Sequence, residues 1–327
     1  MSPPFEFDSA ALPVGEGFKA YRALYAEGSD VERVGDFRAR VRSFNLEGMV
    51  LFERKLDGVA HSRVKRAGRD QFRHFALHLV LDGELKGGSE SGFEVARKGD
   101  LVIADTARPS RTEAVGVHLV TASMPRSAII AASGGSDRLH GLVARAPETH
   151  ILGEFMLTCL MHAETIPLDR RPALIAALVE VLAATLGRDP ATAVAVDRRR
   201  TEMLQREVAV RFMKERLSDR RLNAADIADA IGLSRRTLYR LFERKGGITK
   251  VIMECRLEAV RKAIEEGSVD ALGPLAAEYG FSDESHLSRR FRESFGESIS
   301  EFRKRVAAER PAERASRQLS DWIRSVR

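Results

Sequence analysis

The stretch Gly280-Phe281-Ser282-Asp283-Glu284-Ser285-His286-Leu287-Ser288-Arg289-Arg290-Phe291, followed by Phe295-Gly296-Glu297-Ser298, decides the fold of the C-terminal part of this 327-residue chain. Leu275-Ala276-Ala277-Glu278-Tyr279 leads into it with helical character. Gly280 then permits a left-handed turn. Ser282 and Asp283 offer side-chain oxygens that cap a new helix, which runs to Ser294 or Phe295. Leu287 and Phe291 lie four apart and share its inner face. The layout is helix, tight glycine turn, helix.

The same scheme occurs once more upstream. Asn223 caps a helix through Ala224–Ile231, Gly232 makes the turn, and Ser234 caps a helix from Arg235 to Lys245. Ala228 is small where the two helices cross, and Ile227, Ile231, Leu233, Leu238 and Phe242 supply the core between them. Leu238 and Phe242 correspond to Leu287 and Phe291. Between the two units, Val251 to Glu266 carries apolar residues at helical spacing and ends at Gly267, which reads as one connecting helix.

This duplicated pattern resembles the DNA-binding domain of the AraC/XylS family of transcription regulators. The family signature runs Gly-Phe, a polar capping stretch, a hydrophobic residue, Ser-Arg-x-Phe and then Phe-Gly-x-Ser. Two departures stand out: Ile299 occupies the place of the usual proline after Phe-Gly-x-Ser, and Gly246-Gly247-Ile248-Thr249 also lacks it. On the first recognition helix, Arg235, Arg236, Tyr239 and Arg240 face outward, and the last three share one face. The resemblance matches Arg236, Tyr239 and Arg240 to the family's base-reading positions. Arginine donates to guanine in the major groove, and tyrosine meets a thymine methyl or a phosphate. On the second helix, Glu284, Ser285, Ser288 and Arg289 face outward, with Glu284 also suited to the helix N-terminus. Arg290 and Arg292 are placed for phosphate or an acidic neighbour.

Charge agrees with a polyanionic partner. The formal net charge is +6, yet residues 197–327 hold 29 Lys/Arg against 22 Asp/Glu, while residues 1–196 hold 24 against 25. The basic excess sits wholly in the C-terminal part. The two cysteines, Cys159 and Cys255, are too far apart in sequence for a CxxC pair and read as core residues. No run approaches a membrane span, and Met1 to Glu6 lacks the layout of a signal peptide. The expected compartment is a reducing cytoplasm.

Residues 38–130 read as short strands. In His74-Phe75-Ala76-Leu77-His78-Leu79-Val80-Leu81 the leucines and Phe75 take one face and the histidines the other, and Asp82-Gly83 reads as a turn. From 150 to 187 the period is helical. The resemblance implies a cupin-like β-barrel followed by helices, with Gly99–Pro109 as a barrel turn and strand. The expected architecture is therefore a multidomain α and β chain. An effector-binding and dimerisation domain covers 1–187, a linker 188–197, an all-α double helix-turn-helix 198–310, and a basic tail 311–327 in which Leu319, Trp322 and Ile323 suit a small docking helix.

The function implied is a DNA-binding transcription regulator, an activator by family habit, with duplex DNA, RNA polymerase and a small-molecule effector as partners. It would act as a homodimer through the helices at 150–187, with no cofactor, no metal and no membrane contact. His74, His78 and His118 are the candidate effector contacts; Arg63, Arg73 and Arg108 are further candidates for an anion. Two other readings stay open: a constitutive DNA-binding dimer without a ligand, and a metal-dependent barrel enzyme fused to a DNA-binding module. The His-x-His pair with a following Glu that metal cupins use is absent, as are GxSxG, P-loop and HExxH motifs.

Overall fold

The computed structural model describes residues 4–70, 72–89, 92–133, 139–187, 202, 205–206, 208–243, 246–267, 271–308 and 311–326. The chain divides into two compact units. One comprises Met1–Arg200 together with Pro311–Arg327, the other Thr201–Arg310. The expected linker 188–197 lies outside the described residues.

The first unit is built on one antiparallel sheet. Its strands are β1 (Phe5–Asp8), β2 (Asp30–Asn45), β3 (Val50–Ser62), β4 (His74–Ser89), β5 (Gly92–Ala96), β6 (Leu101–Asp105), β7 (Ser110–Pro125) and β8 (Val143–Ala144). They run in the order β1-β2-β3-β7-β4-β6-β8, with β5 paired to β4. Helices α1 (Glu16–Leu24), α2 (Arg126–Ser133), α3 (His150–Met161) and α4 (Arg171–Thr185) complete the N-terminal part.

The expected barrel is corrected here to an open, curled sheet. A barrel needs its two edge strands to pair. Here the edges are β1, four residues long, and β8, only two, and they do not meet. Helices cover both faces instead, so burial does not require closure. The Asp82-Gly83 turn is corrected as well. β4 continues through it with register breaks between Val80, Asp82 and Glu84. Gly83 has φ +73°, and a Cβ there would lie 2.2 Å from the Gly116 carbonyl oxygen. This is a bulge that bends a long strand.

Strand alternation sorts the two faces. Phe75, Leu77 and Leu79 on β4 face α2–α4; a Cβ on Gly153 of α3 would touch Leu79 at 3.3 Å. The opposite face carries Val41, Phe52, Val80, Val102 and Leu119, packed in one cluster with Tyr21 and Leu24 of α1 and with Tyr25, which caps its end. Both faces are therefore buried, including the one that holds His74 and His78.

A last helix joins this second face. The chain returns from the second unit as its last helix, α11 (Pro311–Ser325). Leu319, Trp322 and Val326 enter the same cluster as α1 and the sheet, at 1%, 8% and 1% exposure. The Ser316 hydroxyl donates to the carbonyls of Ala23 (2.8 Å) and Leu24 (3.2 Å), which occupy orphan acceptors at the end of α1. Arg324 pairs with Glu27 at 2.5 Å. The segment expected as a tail is thus a structural part of the N-terminal unit.

The second unit is all-α: a helical stretch over 208–215, α5 (Ala224–Ala230), α6 (Arg235–Phe242), α7 (Ile248–Glu265), α8 (Leu272–Glu278), α9 (Glu284–Phe295) and α10 (Ile299–Ala308). Ala209, Met213, Ile227, Leu238, Phe242 and Ile252 form its first core, and Val260, Leu275, Phe281, Leu287, Phe291 and Phe302 form its second.

Trp322 is the only tryptophan of the chain, so its emission reports α11. Native protein should emit at the short wavelength of a buried indole. Trp322→Ala should cost about 3 kcal/mol of the unfolding free energy, measured by denaturant titration followed by circular dichroism. An unchanged midpoint would contradict the docked helix.

Candidate nucleic-acid interface

Two helix-turn-helix units repeat the same local chemistry. Asn223 accepts from the amides of Ala225 (2.8 Å) and Asp226 (3.3 Å), and Asp226 accepts from the Asn223 amide in return at 3.2 Å. That reciprocal box starts α5. Ser234 starts α6 by accepting from the Thr237 amide at 3.1 Å. Asp283 starts α9 by accepting from the His286 amide at 2.7 Å, steadied by a 2.8 Å bond from the Ser282 hydroxyl. These bonds hold the Asp283 carboxyl below the usual carboxylate range.

The turns match as closely. Gly232 and Gly280 have φ +69° and +73°. In each, the next residue's amide reaches back to an alanine carbonyl: Leu233 to Ala228 at 2.9 Å and Phe281 to Ala276 at 2.8 Å. Both alanines are buried, and a larger side chain would separate the crossing helices.

The absent prolines are accommodated. Ser298 and Glu301 form a capping box, with the Ser298 amide donating to Glu301 at 2.7 Å and the Glu301 amide to Ser298 at 3.2 Å. Ile299 takes the first helical position, where proline would also fit, and is 3% exposed. In the first unit α7 begins at Ile248, three residues before the expected Val251, behind Gly247 at φ +94°.

What presents to solvent follows from what these caps orient. Leu238, Leu241 and Phe242 point inward, while Arg235, Arg236, Tyr239 and Arg240 are exposed. Arg236, Tyr239, Arg240 and Glu243 line an open groove of about 550 Å³ with Gly246 and Gly247. Arg240 makes a loose ion pair with Glu202 at 3.7 Å. On α9, Glu284, Ser285 and Arg289 are exposed and Ser288 half-buried. Glu284 lies over Gly273, where a Cβ would approach its Oε1 to 2.8 Å, so its carboxylate sits against the first turn of α8. Arg290 pairs with Glu293 at 3.0 Å.

One residue joins the two units, and sequence reasoning missed it. Arg256 on α7 is 7% exposed. Its Nε donates to the Leu217 carbonyl at 3.2 Å and Nη2 to the Asp219 carbonyl at 2.7 Å. Burial lowers its pKa. A Cβ on Gly280 would lie 2.5 Å from the same Leu217 oxygen and 2.9 Å from the Arg256 guanidinium carbon. An arginine inside an apolar helical run was the available signal.

The histidines of the first unit separate. His74 and His78 share the face covered by α1 and α11, but His118 lies on the opposite face and pairs with Glu53 at 3.1 Å. His78 Nδ1 lies 2.9 Å from Thr121 Oγ1. Desolvation lowers His61, His74 and His78 to about 3, helped by the nearby Arg54 charge. Arg63 is buried and already satisfied by Thr106 and Gly28 carbonyls and the Asp70 carboxylate. Arg73 is exposed and Arg108 half-buried. Among the described residues, no group of three or more His, Cys, Asp or Glu is placed to hold a metal ion, and no helix is long and apolar enough to cross a membrane.

Comparison with known proteins now bears on this geometry. The family profile described as a helix-turn-helix domain matches residues 227–305. The transcriptional activator NphR of Rhodococcus sp is 35% identical over 130 residues, 39% of this chain and 38% of that protein. The XylDLEGF operon transcriptional activator of Pseudomonas putida is 32% identical over 95 residues, 28% of this chain and 29% of that one. The chain thus spans under two-fifths of the length of these relatives. The crystal structure of the AraC-like transcriptional activator CuxR is similar over 80% of this chain and 96% of that chain, with TM-score 0.52 at 19% identity, a likeness of fold.

Two outcomes follow from the geometry. Gly280→Ala should lower the melting temperature, because it combines positive φ with a backbone clash and costs more than about 1 kcal/mol. The histidines give a signed acid dependence. Folded, they stay neutral down to about pH 3, whereas unfolded they bind protons below about 6.5. Stability of the first unit should be full above 6.5 and fall as pH drops toward 3, measured by denaturant titration at stepped pH. The duplicated caps, the matched turns and the profile match together make the C-terminal unit a helix-turn-helix domain.

Proposed function

We propose that this chain is a sequence-specific DNA-binding transcription regulator, acting as an activator in response to a small molecule held by its N-terminal unit. The observation that carries the reading is the pair of like-capped helices, α6 and α9, in one domain, each with a buried apolar face and an exposed polar one. Arg236, Tyr239 and Arg240 sit together on the first, and Ser285 and Arg289 on the second. Two such helices on one rigid unit suit successive major grooves about one helical turn apart. Lysine and arginine outside these faces supply salt-dependent affinity, and the face residues supply site choice.

The relatives' printed names, both transcriptional activators, support the sign of regulation. RNA polymerase is then the second macromolecular partner, and a bacterial-type cytoplasm the setting. A homodimer is supported by α3, where Ile151 and Met161 are 75% and 71% exposed on one outward stripe. His74 and His78 belong to the effector side of the N-terminal unit; His118 faces away from them.

The test is quantitative binding to a selected duplex. Arg236→Ala and Arg240→Ala should each weaken specific binding by about 1–3 kcal/mol, roughly 5- to 150-fold, and flatten preference at one position of the site. Equal weakening on specific and random duplexes would reduce these residues to phosphate contacts.

A further inference from the structure

One loop of the N-terminal unit gathers positive charge. The segment from Arg63 to Arg73, between β3 and β4, carries five Lys/Arg against the single Asp70. The rest of residues 1–196 carries 19 Lys/Arg against 24 Asp/Glu. The loop is therefore a basic island on an otherwise acidic part of the chain, and it sets the field that a charged partner meets there.

The loop is fastened from inside. The amides of Arg66 and Ala67 donate to the Arg63 carbonyl, and those of Arg69 and Asp70 to the Arg66 carbonyl, which winds the segment like a short helix. Arg63 is buried and directs its donors inward, to the Thr106 and Gly28 carbonyls and to both Asp70 oxygens at 2.9 and 3.0 Å. Arg66 reaches Asp30 at 2.8 Å. These two arginines occupy the Asp70 and Asp30 carboxylates. Lys65, Arg69 and Arg73 are exposed, and among the described residues none of the three has an ion pair or a side-chain hydrogen bond. Lys65 and Arg69 lie four apart, on one side of the wound segment. By contrast, Lys19, Arg40 and Arg170 of the same unit stand 3.5, 3.9 and 3.5 Å from Glu16, Asp8 and Asp169. Two arginines thus fix the loop, and three further cations face solvent without a carboxylate.

We propose that this loop is a second nucleic-acid contact, which binds the phosphate backbone of duplex DNA through Lys65, Arg69 and Arg73. The inference rests on the DNA-binding reading above and extends it from the helix-turn-helix unit to the N-terminal unit. Cations free of carboxylates release counter-ions when they meet phosphates, and they add affinity without regard to base identity. A protein partner would need a desolvated apolar centre. The loop offers one exposed valine, Val64, and its aromatic ring, Phe72, is buried. That buried ring also leaves no platform for stacking the bases of a single strand. Charge presented on a rigid, apolar-poor surface matches the backbone of a duplex.

The test uses the full-length chain and three variants. Lys65→Gln/Arg69→Gln/Arg73→Gln removes the free cations, and Lys65→Arg/Arg69→Lys/Arg73→Lys keeps their charge. Lys19→Gln/Arg40→Gln/Arg170→Gln removes the same charge from ion-paired positions. All change exposed side chains and should melt with the wild type. Binding to the selected duplex and to a random duplex of equal length is titrated across salt. The first variant should make the slope of log affinity against log salt shallower by about 2.7, or about 0.9 per phosphate contact. Between roughly 50 and 200 mM salt, the wild type should then lose about 40-fold more affinity than this variant. Its base preference should match the wild type. The charge-keeping variant should retain the wild-type slope, because phosphate accepts from lysine and arginine alike. The ion-paired control should stay close to it, because those cations already face carboxylates. An unchanged slope in the first variant, an equal fall in the control, or an altered base preference would overturn the proposal. Wild-type duplex binding by a first variant that no longer activates transcription would also overturn it, and would assign the loop to an acidic protein. The two duplexes keep this outcome apart from the regulator reading: a wild type that does not discriminate between them defeats that reading, while the slope still reports the loop.

Discussion

The geometry of the C-terminal unit hangs on one buried guanidinium. Arg256 projects from the connecting helix α7 and holds the Leu217 and Asp219 carbonyls, which precede the first helix-turn-helix. Gly280, the turn of the second, packs against the same arginine and the same carbonyl oxygen. A buried arginine is tolerated only where its donors are taken, so these three chain segments must meet in one arrangement. The recognition helices α6 and α9 are then presented as a fixed pair, which is what reading two grooves from a single chain requires. Capping at Asn223, Ser234 and Asp283 sets where each helix starts, and hence which side chains face outward.

The N-terminal unit obeys a different constraint. Its sheet stays open, so each face needs a cover. α2, α3 and α4 supply one. The other is shared by α1 and by α11, the last segment of the chain. The helix-turn-helix unit is therefore an insertion in sequence: chain leaves the N-terminal unit before it and rejoins that unit after it.

Much of this was legible in the residues. Gly232 and Gly280, each four residues after a small alanine and two or three before a capping side chain, specify their turns by local rules alone. Leu238 and Phe242, with Leu287 and Phe291, specify the inward faces, and the outward residues follow by exclusion. The N-terminal unit was harder to read because long-range pairing decides it. Asp82-Gly83 has turn chemistry, yet β4 runs through it because β7 offers partners on both sides of the bulge. Phe5 and Phe7 alternate on β1 and Phe18, Tyr21 and Leu24 recur at helical spacing on α1, but both elements are short and gain their stability from packing. Nothing local says that Trp322 docks on a sheet some three hundred residues earlier in the chain. The candidate effector residues divide for the same reason: alternation along one strand joined His74 with His78, but only the β3–β7 register shows that His118 faces away and that Arg54 faces in.

The most direct measurement is selection of binding sites from a random duplex library with the full-length chain at fixed salt. The account predicts a site with two distinct half-motifs about one helical turn, 10–10.5 base pairs, apart. Retention by the full chain that depends on salt but not on sequence would contradict it.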